Sequence, residues 1–302
     1  MGELVLGVDV GGTKTHVRAV SDGSVEHDVV LSSAGWAVPP IAAGAEWLAG
    51  RVLEVVGDAQ IAALAVGAHG CEQDDMCAAL GAALAERFAT VVRVVNDAEL
   101  LVPAAGLDAG IGVVVGTGAI AVTRDGSGRM LRAGGWGWVF SDDGSGSALV
   151  REAVRAVLER ADAGEEPDAL GVALLGSVGV PDVAALAHRL SWGDGPEHWG
   201  EHARVVTAAA QEGVPDAVAV LAAGARGVAN LVTTLAGRGD GVPTDVVVLG
   251  GGLVTAVPAY ATAIRRHVQA AHPEARLEVL TRPPVAGAVR LAEQLRTTSH
   301  TS

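Results

Sequence analysis

Apolar and polar residues follow two recurring patterns along the chain, and together they predict an α/β protein. Short Val-rich runs predict strands, whereas Ala-, Leu-, Glu- and Arg-rich stretches with apolar residues at helical spacing predict helices. The first three strands, at 4–9, 15–20 and 25–31, are separated by Gly, Ser and Asp turns, which predicts an antiparallel meander.

The alternation continues to the C-terminus, with helical segments dominating from 145 to 236. The predicted strands are 61–66, 91–95, 112–115, 120–124, 130–132, 245–249 and 277–280, and the further helices are 42–56, 74–88, 258–271 and 285–296. One apolar stretch, 217–237, is interrupted by Arg226 and Asn230 and carries adjacent threonines. It predicts a buried Ala-rich helix instead of a membrane span.

Residues 8–13 and 113–118 resemble each other, since each is an apolar strand that ends in a Gly/Thr turn and leads directly into a second strand. Two explanations stay open at this stage: an internal duplication, or chance similarity between glycine-rich strand ends.

Composition narrows the function classes. The chain has 302 residues and a net charge of −14, which argues against partners that need clustered Lys and Arg, such as nucleic acid or an anionic membrane. Its two cysteines, Cys71 and Cys77, are too few for a disulfide scaffold and are expected to be reduced thiols. The first nine residues lack the basic and apolar regions of a signal peptide, so a cytoplasmic protein is expected.

The first turn, Asp9-Val-Gly-Gly-Thr-Lys-Thr15, follows a strand and combines glycines with hydroxyls and a lysine. Without Cβ atoms, glycine amides can approach phosphate oxygens, and Asp9 can hold a Mg²⁺-bound water. The spacing fits neither a Walker A loop nor a dinucleotide fingerprint. A plain hairpin explains the glycines but leaves the cluster of Asp, Thr and Lys unexplained, so we predict a phosphate site.

Two more glycine turns follow Val-rich strands. Gly116-Thr-Gly118 offers a hydroxyl to a phosphate, and the Gly250–Gly252 run opens a helix where a flat adenine or ribose can lie close. Taken singly, a hairpin and ordinary helix–strand packing explain them equally well. Three such turns after three strands favour nucleotide binding.

Asn96-Asp97 ends the fifth predicted strand. Asp97 can cap the helix that follows, or it can accept a hydroxyl proton during phosphoryl transfer. The stretch 134–146 concentrates two Trp and one Phe among glycines, which suits a sugar that stacks one face and hydrogen-bonds through its hydroxyls. We assign the ligand role to Asp142 and the capping role to Asp143.

In this order, these motifs resemble the BadF/BadG-type ATPase family, and within it the N-acetylglucosamine kinase branch of the sugar kinase/Hsp70/actin superfamily. The resemblance runs from about residue 5 to residue 290. It implies an α/β fold of two ribonuclease-H-like, actin-like ATPase domains flanking an ATP cleft. The domains are expected at 1–107, joined by a C-terminal helix at 285–297, and at 108–284.

The resemblance also implies roles for individual residues. Asp97 is the expected catalytic base, and the three turns are expected to bind ATP, next to the Mg²⁺ that Asp9 is predicted above to hold through water. The expected ATP contacts are Gly11, Gly12, Thr13, Lys14, Thr15, Gly116, Thr117, Gly118, Gly250, Gly251 and Gly252. The expected sugar contacts are Asn96, Asp97, Gly135, Trp136 and Asp142.

Several positions depart from the family pattern. An Asn expected after the third strand is absent from Ser33-Ala34-Gly35-Trp36, a Ser-Gly-Gly appears as Ala68-His69-Gly70, and Ala119-Ile120 replace Ser-Asn. Phosphoryl transfer is therefore better supported than the identity of the sugar.

The sequence thus predicts an ATP-dependent kinase of an amino sugar, N-acetylglucosamine or glucosamine-like, that acts on the 6-OH by resemblance. The alternative is a non-catalytic ATP-binding switch or sugar sensor of the same fold. A homodimer is an expectation from the family alone. His198-Trp-Gly-Glu-His202 fits an H-x-x-E-H zinc pattern, but its Trp and Gly predict the start of a surface helix instead.

Overall fold

The computed structural model describes residues 3–193, 195–239 and 241–299. These form two compact units. The first comprises 3–112, 123–130 and 280–299, and the second comprises 113–122 and the described part of 131–279.

Ten strands and twelve α-helices are present among the described residues. The strands are β1 Leu4–Val10, β2 Lys14–Ser21, β3 Ser24–Ser32, β4 Ile61–Ala68, β5 Val91–Asn96, β6 Ile111–Val115, β7 Ala119–Arg124, β8 Met130–Gly134, β9 Val246–Gly250 and β10 Arg276–Val279. The helices are α1 Ile41–Val56, α2 Asp74–Phe88, α3 Leu101–Ala104, α4 Gly146–Asp162, α5 Ala169–Val178, α6 Val183–His188, α7 Pro196–Trp199, α8 Ala203–Gln211, α9 Pro215–Ala236, α10 Gly252–Ala256, α11 Pro258–Ala271 and α12 Val285–Ser299. Short 3₁₀ turns cover Asp97–Leu100 and Gly200–His202, and a π turn covers Arg189–Gly193.

The first sheet has the strand order β3-β2-β1-β4-β5. The predicted meander is confirmed, because β1 pairs antiparallel with β2 and β2 antiparallel with β3, whereas β4 and β5 run parallel to β1. Since β1, β4 and β5 are parallel, their carboxyl ends lie at one edge of the sheet. Asp9, Ala68 and Asn96 all belong to this edge.

The second sheet repeats this connectivity, with the order β10-β9-β6-β7-β8. In each sheet the first three strands follow one another and the last two add beside the first. The similarity between 8–13 and 113–118 falls on the ends of β1 and β6, the first strand of each sheet. An internal duplication therefore explains the sequence resemblance better than chance does.

Both faces of the first sheet are covered. One carries the main core, with α1 and α2 packed through residues such as Leu48 and Leu80. The other packs against α12, where Ala292 meets Val5, Ala63 and Ala65. A Cβ built on Gly7 would lie 2.5 Å from the backbone nitrogen of Val289, so α12 approaches β1 at a point where only glycine fits.

Among the described residues, α9 is the one single helix that is long and apolar enough to cross a membrane. Its buried positions, including Ala217, Val220, Val228 and Val232, form one stripe. That stripe packs against α4, α8 and α11 inside the second unit. The predicted buried Ala-rich helix is confirmed for this face.

We predict that Gly7→Ala destabilises the protein by about 1–3 kcal/mol, the usual cost of overpacking, because the new methyl group must push α12 away from β1. Gly50→Ala is the matched control. Gly50 lies in α1 with open space around its Cβ position, so this change should stabilise by about 0.5–1 kcal/mol through helix propensity. Urea denaturation measures both, and a Gly7→Ala protein as stable as wild type would contradict the close packing.

Candidate active site

The first glycine turn joins β1 to β2 and leaves Gly12 open. The Gly11 amide donates to the Lys14 carbonyl over 3.0 Å, and the Ser33 amide donates to the Thr13 carbonyl over 3.1 Å. Nothing lies within 4 Å of a Cβ placed on Gly12, and Gly12, Thr13 and Lys14 are exposed. The turn can therefore present backbone amides, a hydroxyl and an ammonium to an anion.

Thr15 is placed differently from the rest of the turn. It is fully buried, and its hydroxyl is hydrogen-bonded over 2.8 Å to the hydroxyl of Ser33. This contact ties β2 to the chain leaving β3. The hydroxyl of Thr15 thus supports the turn from inside the protein instead of facing outward with its neighbours.

Asp9 sits one residue before the end of β1 and is half-buried. Burial raises the pKa of Asp9 to about 7, and the nearby Asp97 carboxylate adds to the rise. Two carboxylates that repel each other at one sheet edge form a site that a divalent cation would stabilise. Mg²⁺ commonly takes one or two carboxylates and fills its remaining positions with water and phosphate oxygens, so this donor set fits it.

Asn96, rather than Asp97, caps the 3₁₀ turn that follows β5. The Asn96 side-chain oxygen accepts the Ala98 amide over 3.0 Å, and Glu99 reaches back to the Asn96 amide over 3.1 Å, which completes a capping box. The side-chain amide of Asn96 also donates to the Cys71 carbonyl over 3.1 Å, and the residue is 2% exposed. Capping thus explains Asn96 and leaves the Asp97 carboxylate for another role.

Glu99 is in turn fixed by an arginine. Arg124 donates to both Glu99 oxygens, over 2.6 and 3.1 Å, and to Asp74 over 3.0 Å. Burial raises the pKa of Glu99, and the charge of Arg124 partly offsets that rise. This network stiffens the segment that carries Asp97, and its long-range pairings gave no signal in the sequence.

Asp97 is partly accessible, with 20% of its side chain exposed, and one of its oxygens lies 3.8 Å from a ring nitrogen of His69. Burial raises the pKa of Asp97, while His69 and two backbone amides act in the opposite direction. A carboxylate that holds a proton more tightly than usual is a stronger base, and it remains accessible. Asp97 therefore has the properties of a general base.

The second glycine turn, Gly116–Gly118, is clamped by the start of α4. The amides of Gly146 and Ser147 donate to the carbonyls of Gly116 and Thr117, over 2.7 and 3.2 Å. No atom lies within 4 Å of a Cβ placed on Gly116. The turn is thus held from one side and open on the other.

The third glycine turn lies against the end of β6. Gly251 adopts φ 104° and ψ 156°, a backbone region that is essentially restricted to glycine, and a Cβ there would overlap the backbone of Val115. Gly250 ends β9, and Gly252 begins α10. The close approach places this turn beside β6, the strand that leads into the second glycine turn.

A cavity of about 360 Å³ connects the second and third turns within the second unit. Its volume lies in the range of small-molecule sites. Gly116, Thr117 and Gly252 are the predicted residues that line it. The other lining residues were not predicted from the sequence: Gly146, Gly200, Glu201, Ala203, Arg204, Thr207, Leu253, Ala256 and Val257.

The one sequence signal for the missed residues was the His198–His202 motif, which borders this cavity. His202 is hydrogen-bonded over 2.8 Å to Ser177, and the 58% exposed side chain of His198 lies 3.4 Å from Glu201. Within the described residues no group of three or more His, Cys, Asp or Glu side chains is arranged to hold a metal. Gly200 and Glu201 of this motif form part of the cavity wall.

The aromatic loop leaves β8 through Gly135, which has φ 69°, and a Cβ there would meet the side chain of Ile120. Trp136 is 67% exposed, and the guanidinium of Arg132 lies 3.9 Å from its ring centre. Phe140 is more exposed still. The loop therefore presents apolar faces to solvent.

The two acidic residues of this loop differ in environment. Asp142 is buried with φ 64°, its carboxylate lies under Gly118, and it accepts the Ala119 amide over 3.4 Å. Asp143 is exposed and pairs with Arg151 over 3.3 Å. Ser145 caps α4 by accepting the Ala148 amide. The prediction that Asp143 caps this helix is therefore wrong, because the serine two residues later has the hydroxyl in the capping position.

The two cysteines are free thiols, as predicted, and the structure places both of them in buried positions. Cys77 donates to the Cys71 carbonyl over 3.6 Å.

Comparison with known proteins places these features in a family. The sequence pattern of the BadF/BadG/BcrA/BcrD ATPase family matches residues 6–289. The chain belongs to this family. Membership accounts for the two α/β units and confirms the resemblance drawn from the motifs.

Three relatives illustrate the similarity. An N-acetylmuramic acid/N-acetylglucosamine kinase of Clostridium acetobutylicum is 29% identical over 184 residues, which is 53% of this chain and 55% of that protein. The match thus spans about half of the curated relative. Among solved structures, one from Chromobacterium violaceum named “Putative N-acetylglucosamine Kinase” has a TM-score of 0.73 at 24% identity, covering 96% of this chain and 99% of that one. A ROK family glucokinase from Streptomyces griseus, in complex with glucose and AMPPNP, has a TM-score of 0.57 at 20% identity. The match covers 96% of this chain and 98% of that one.

The two structural likenesses show the fold. They confirm that this family member has the predicted two-domain, actin-like ATPase architecture.

We predict that Asp9→Asn stabilises the metal-free protein as the pH rises. A carboxyl with a raised folded pKa favours folding at low pH, and this contribution is lost between the ordinary value near 3.8 and about 7. The asparagine never ionises, so its advantage should already be present at pH 5 and should more than double by pH 8, where it reaches on the order of 1–4 kcal/mol.

Denaturation with a chelator at both pH values measures this difference, and added Mg²⁺ should stabilise wild type more than the variant. A pH-independent difference would contradict the electrostatic explanation.

Proposed function

We propose that this chain is an ATP-dependent kinase that transfers the γ-phosphoryl group to a hydroxyl of an amino sugar, N-acetylglucosamine or a glucosamine-like sugar, at the 6-OH. The observation that carries the proposal is Asp97, an accessible carboxylate with a raised pKa whose orientation is set by the Asn96 cap. The name of the Clostridium relative supports the class of acceptor.

The second unit supports nucleotide binding. We propose that the cavity between Gly116–Thr117 and Gly252 holds the adenosine part of ATP, with small residues such as Ala203 and Ala256 leaving room for a flat base. Glu201 and Arg204 supply an acceptor and a donor for the ribose and phosphates. Thr117 and the open amide face of its turn are then available to the phosphates.

The first unit supports phosphate and acceptor binding. Gly12, Thr13 and Lys14 present donors to the β- and γ-phosphates, while Gly11 closes the turn beneath them through its amide bond to the Lys14 carbonyl. Asp9 would hold Mg²⁺ through water. When bound, Mg²⁺ neutralises charge on the phosphates. Asp97 orients the sugar hydroxyl and accepts its proton as transfer proceeds. Thr15 and Asn96 support the site without contacting a ligand, because both side chains are buried and hydrogen-bonded within the protein.

The aromatic loop fits the sugar itself. Trp136 offers an exposed ring for the C–H face of a sugar, with Gly135 and Asp142 at the base of the loop. Because Ala34, Ala68, His69, Ala119 and Ile120 replace residues of the family pattern, the preferred sugar is set by groups other than the usual ones.

We further propose that the predicted domains, 1–107 with 285–297 and 108–284, divide the work between acceptor activation and nucleotide binding. ATP is an intracellular phosphoryl donor, so we propose a cytoplasmic enzyme. Its partners are then small molecules, with no nucleic acid or membrane, and a homodimer is proposed from family resemblance.

The replaced sugar contacts motivate a second candidate, an ATP-binding switch or sugar sensor that does not turn over. It predicts nucleotide binding without sugar-stimulated ADP release.

We predict that Asp97→Asn lowers kcat by about 100-fold or more while leaving the affinity for a non-hydrolysable ATP analogue within about twofold, because general-base contributions are of that size. Coupled ADP release with Mg²⁺–ATP across glucosamine, N-acetylglucosamine, N-acetylmuramic acid and glucose measures turnover, and NMR of the product locates the phosphate.

Asp108→Asn is the matched control, since Asp108 is an exposed carboxylate of the same unit that pairs with Arg290. Normal turnover by Asp97→Asn would remove Asp97 from the mechanism. Binding of the analogue without turnover on any sugar would favour the switch.

We also predict that Ala256→Phe weakens binding of the ATP analogue by at least about tenfold, because the larger side chain fills a cavity of about 360 Å³. Ala256 is exposed, so the fold should persist. Ala270→Phe, an exposed alanine on α11 away from the cavity, is the control. Calorimetric titration compares the two, and equal affinities would place the nucleotide elsewhere.

A further inference from the structure

The backbone of His69 is fixed by hydrogen bonds, whereas its side chain is exposed. It directly follows β4, where its amide donates to the Val10 carbonyl over 2.8 Å and its carbonyl accepts the indole N–H of Trp36 over 3.0 Å. Trp36 contacts Trp47, whose own indole N–H donates to the Ala34 carbonyl over 3.2 Å. The loop is thus held from both sides, yet 59% of the His69 side chain is exposed.

The imidazole points towards the proposed base. Its Nδ1 lies 3.8 Å from Oδ2 of Asp97, which is too long for a hydrogen bond. An oxygen placed about 2.8 Å from both atoms would complete two ordinary hydrogen bonds. One hydroxyl therefore fits between them, donating its proton to the carboxylate and accepting an N–H from the ring.

The imidazole of His69 differs in charge and in hydrogen-bonding capacity from the other ionisable groups near Asp97. The negative charge of Glu72 raises the pKa of Asp97, and the charge of Asp97 raises the pKa of Asp9 in the same way. The Cys71 thiol also senses the Asp97 carboxylate. Among these neighbours of Asp97, His69 is the group that can both donate a hydrogen bond and carry positive charge.

We propose that His69 is a second catalytic residue on the acceptor side: it touches the reacting sugar hydroxyl and holds its oxygen against Asp97. This inference rests on the proposed kinase function and adds a residue to it.

The acceptor oxygen bonds to the γ-phosphorus while the bond from that phosphorus to the β–γ bridging oxygen breaks, and ADP leaves with the electron pair. The acceptor proton passes to Asp97. His69 exchanges no proton, and its N–H fixes the nucleophilic oxygen in line, which matters because phosphoryl transfer depends mainly on positioning.

His69→Ala and His69→Gln test the proposal, with His188→Ala as the control. His188 is an exposed histidine of α6 that has no place in the proposed site. The backbone bonds at residue 69 do not need the side chain, so the variants should fold, which circular dichroism and affinity for the ATP analogue verify.

We expect His69→Ala to lower kcat by on the order of 10- to 100-fold, the usual value of a charge-assisted hydrogen bond, with the KM for ATP unchanged. His69→Gln, which keeps a donor, should recover part of that loss. Because the position is open to solvent, added imidazole should restore turnover to His69→Ala but not to Asp97→Asn.

The outcomes separate the two proposals. If wild type phosphorylates a sugar and His69→Ala has an unchanged kcat, the role of His69 is wrong and the kinase function stands. A change only in the KM for the sugar, without imidazole rescue, would also overturn it, since His69 would then be a binding contact alone. If wild type binds nucleotide but phosphorylates no sugar, the proposed function fails and this inference fails with it.

Discussion

The buried side chain of Asn96 fixes how the chain leaves β5, and the acceptor half of the candidate site depends on it. Its oxygen and its amide are both used, on the Ala98 amide and the Cys71 carbonyl. A buried polar group that loses a partner costs about 1–3 kcal/mol, so this arrangement strongly resists alternatives. Because Asn96 does the capping, Asp97 is released from that task and keeps an accessible carboxylate.

The charged side chains further along the same segment are also paired within the protein. Glu99 completes the cap and is itself paired with Arg124, which also holds Asp74 at the start of α2. Glu99 is the more buried partner, so removing Arg124 would leave its charge uncompensated, which makes the network difficult to change one residue at a time. Asp97 thus stands on a rigid support although it lies just beyond the end of a strand.

Much of the architecture was predictable from the sequence, because Val-rich runs and helical spacing mark the elements of both sheets locally. The glycine turns were predictable for the same reason. The inward hydroxyl of Thr15 was not, because it depends on pairing with Ser33 across two strands, and neither was Asp143, where Ser145 competes for the cap. The cavity wall at Gly200–Thr207 belongs to a helical segment whose local pattern does not indicate a nucleotide site, because the H-x-x-E-H motif that overlaps it is typical of a metal site.

The stretch that joins β8 to α4 has an anchored half and an open half. From Asp142 onward it is tied down, since Tyr260 donates to the Gly144 carbonyl over 2.7 Å and α9 packs closely against Gly144. By contrast, Trp136, Val139 and Phe140 are exposed. Substitutions of these three exposed side chains therefore cost little folding free energy, so natural selection can alter what this surface recognises while the anchored half stays constant. If the loop contacts the sugar as proposed, this short stretch separates the residues that recognise the ligand from the residues that stabilise the fold.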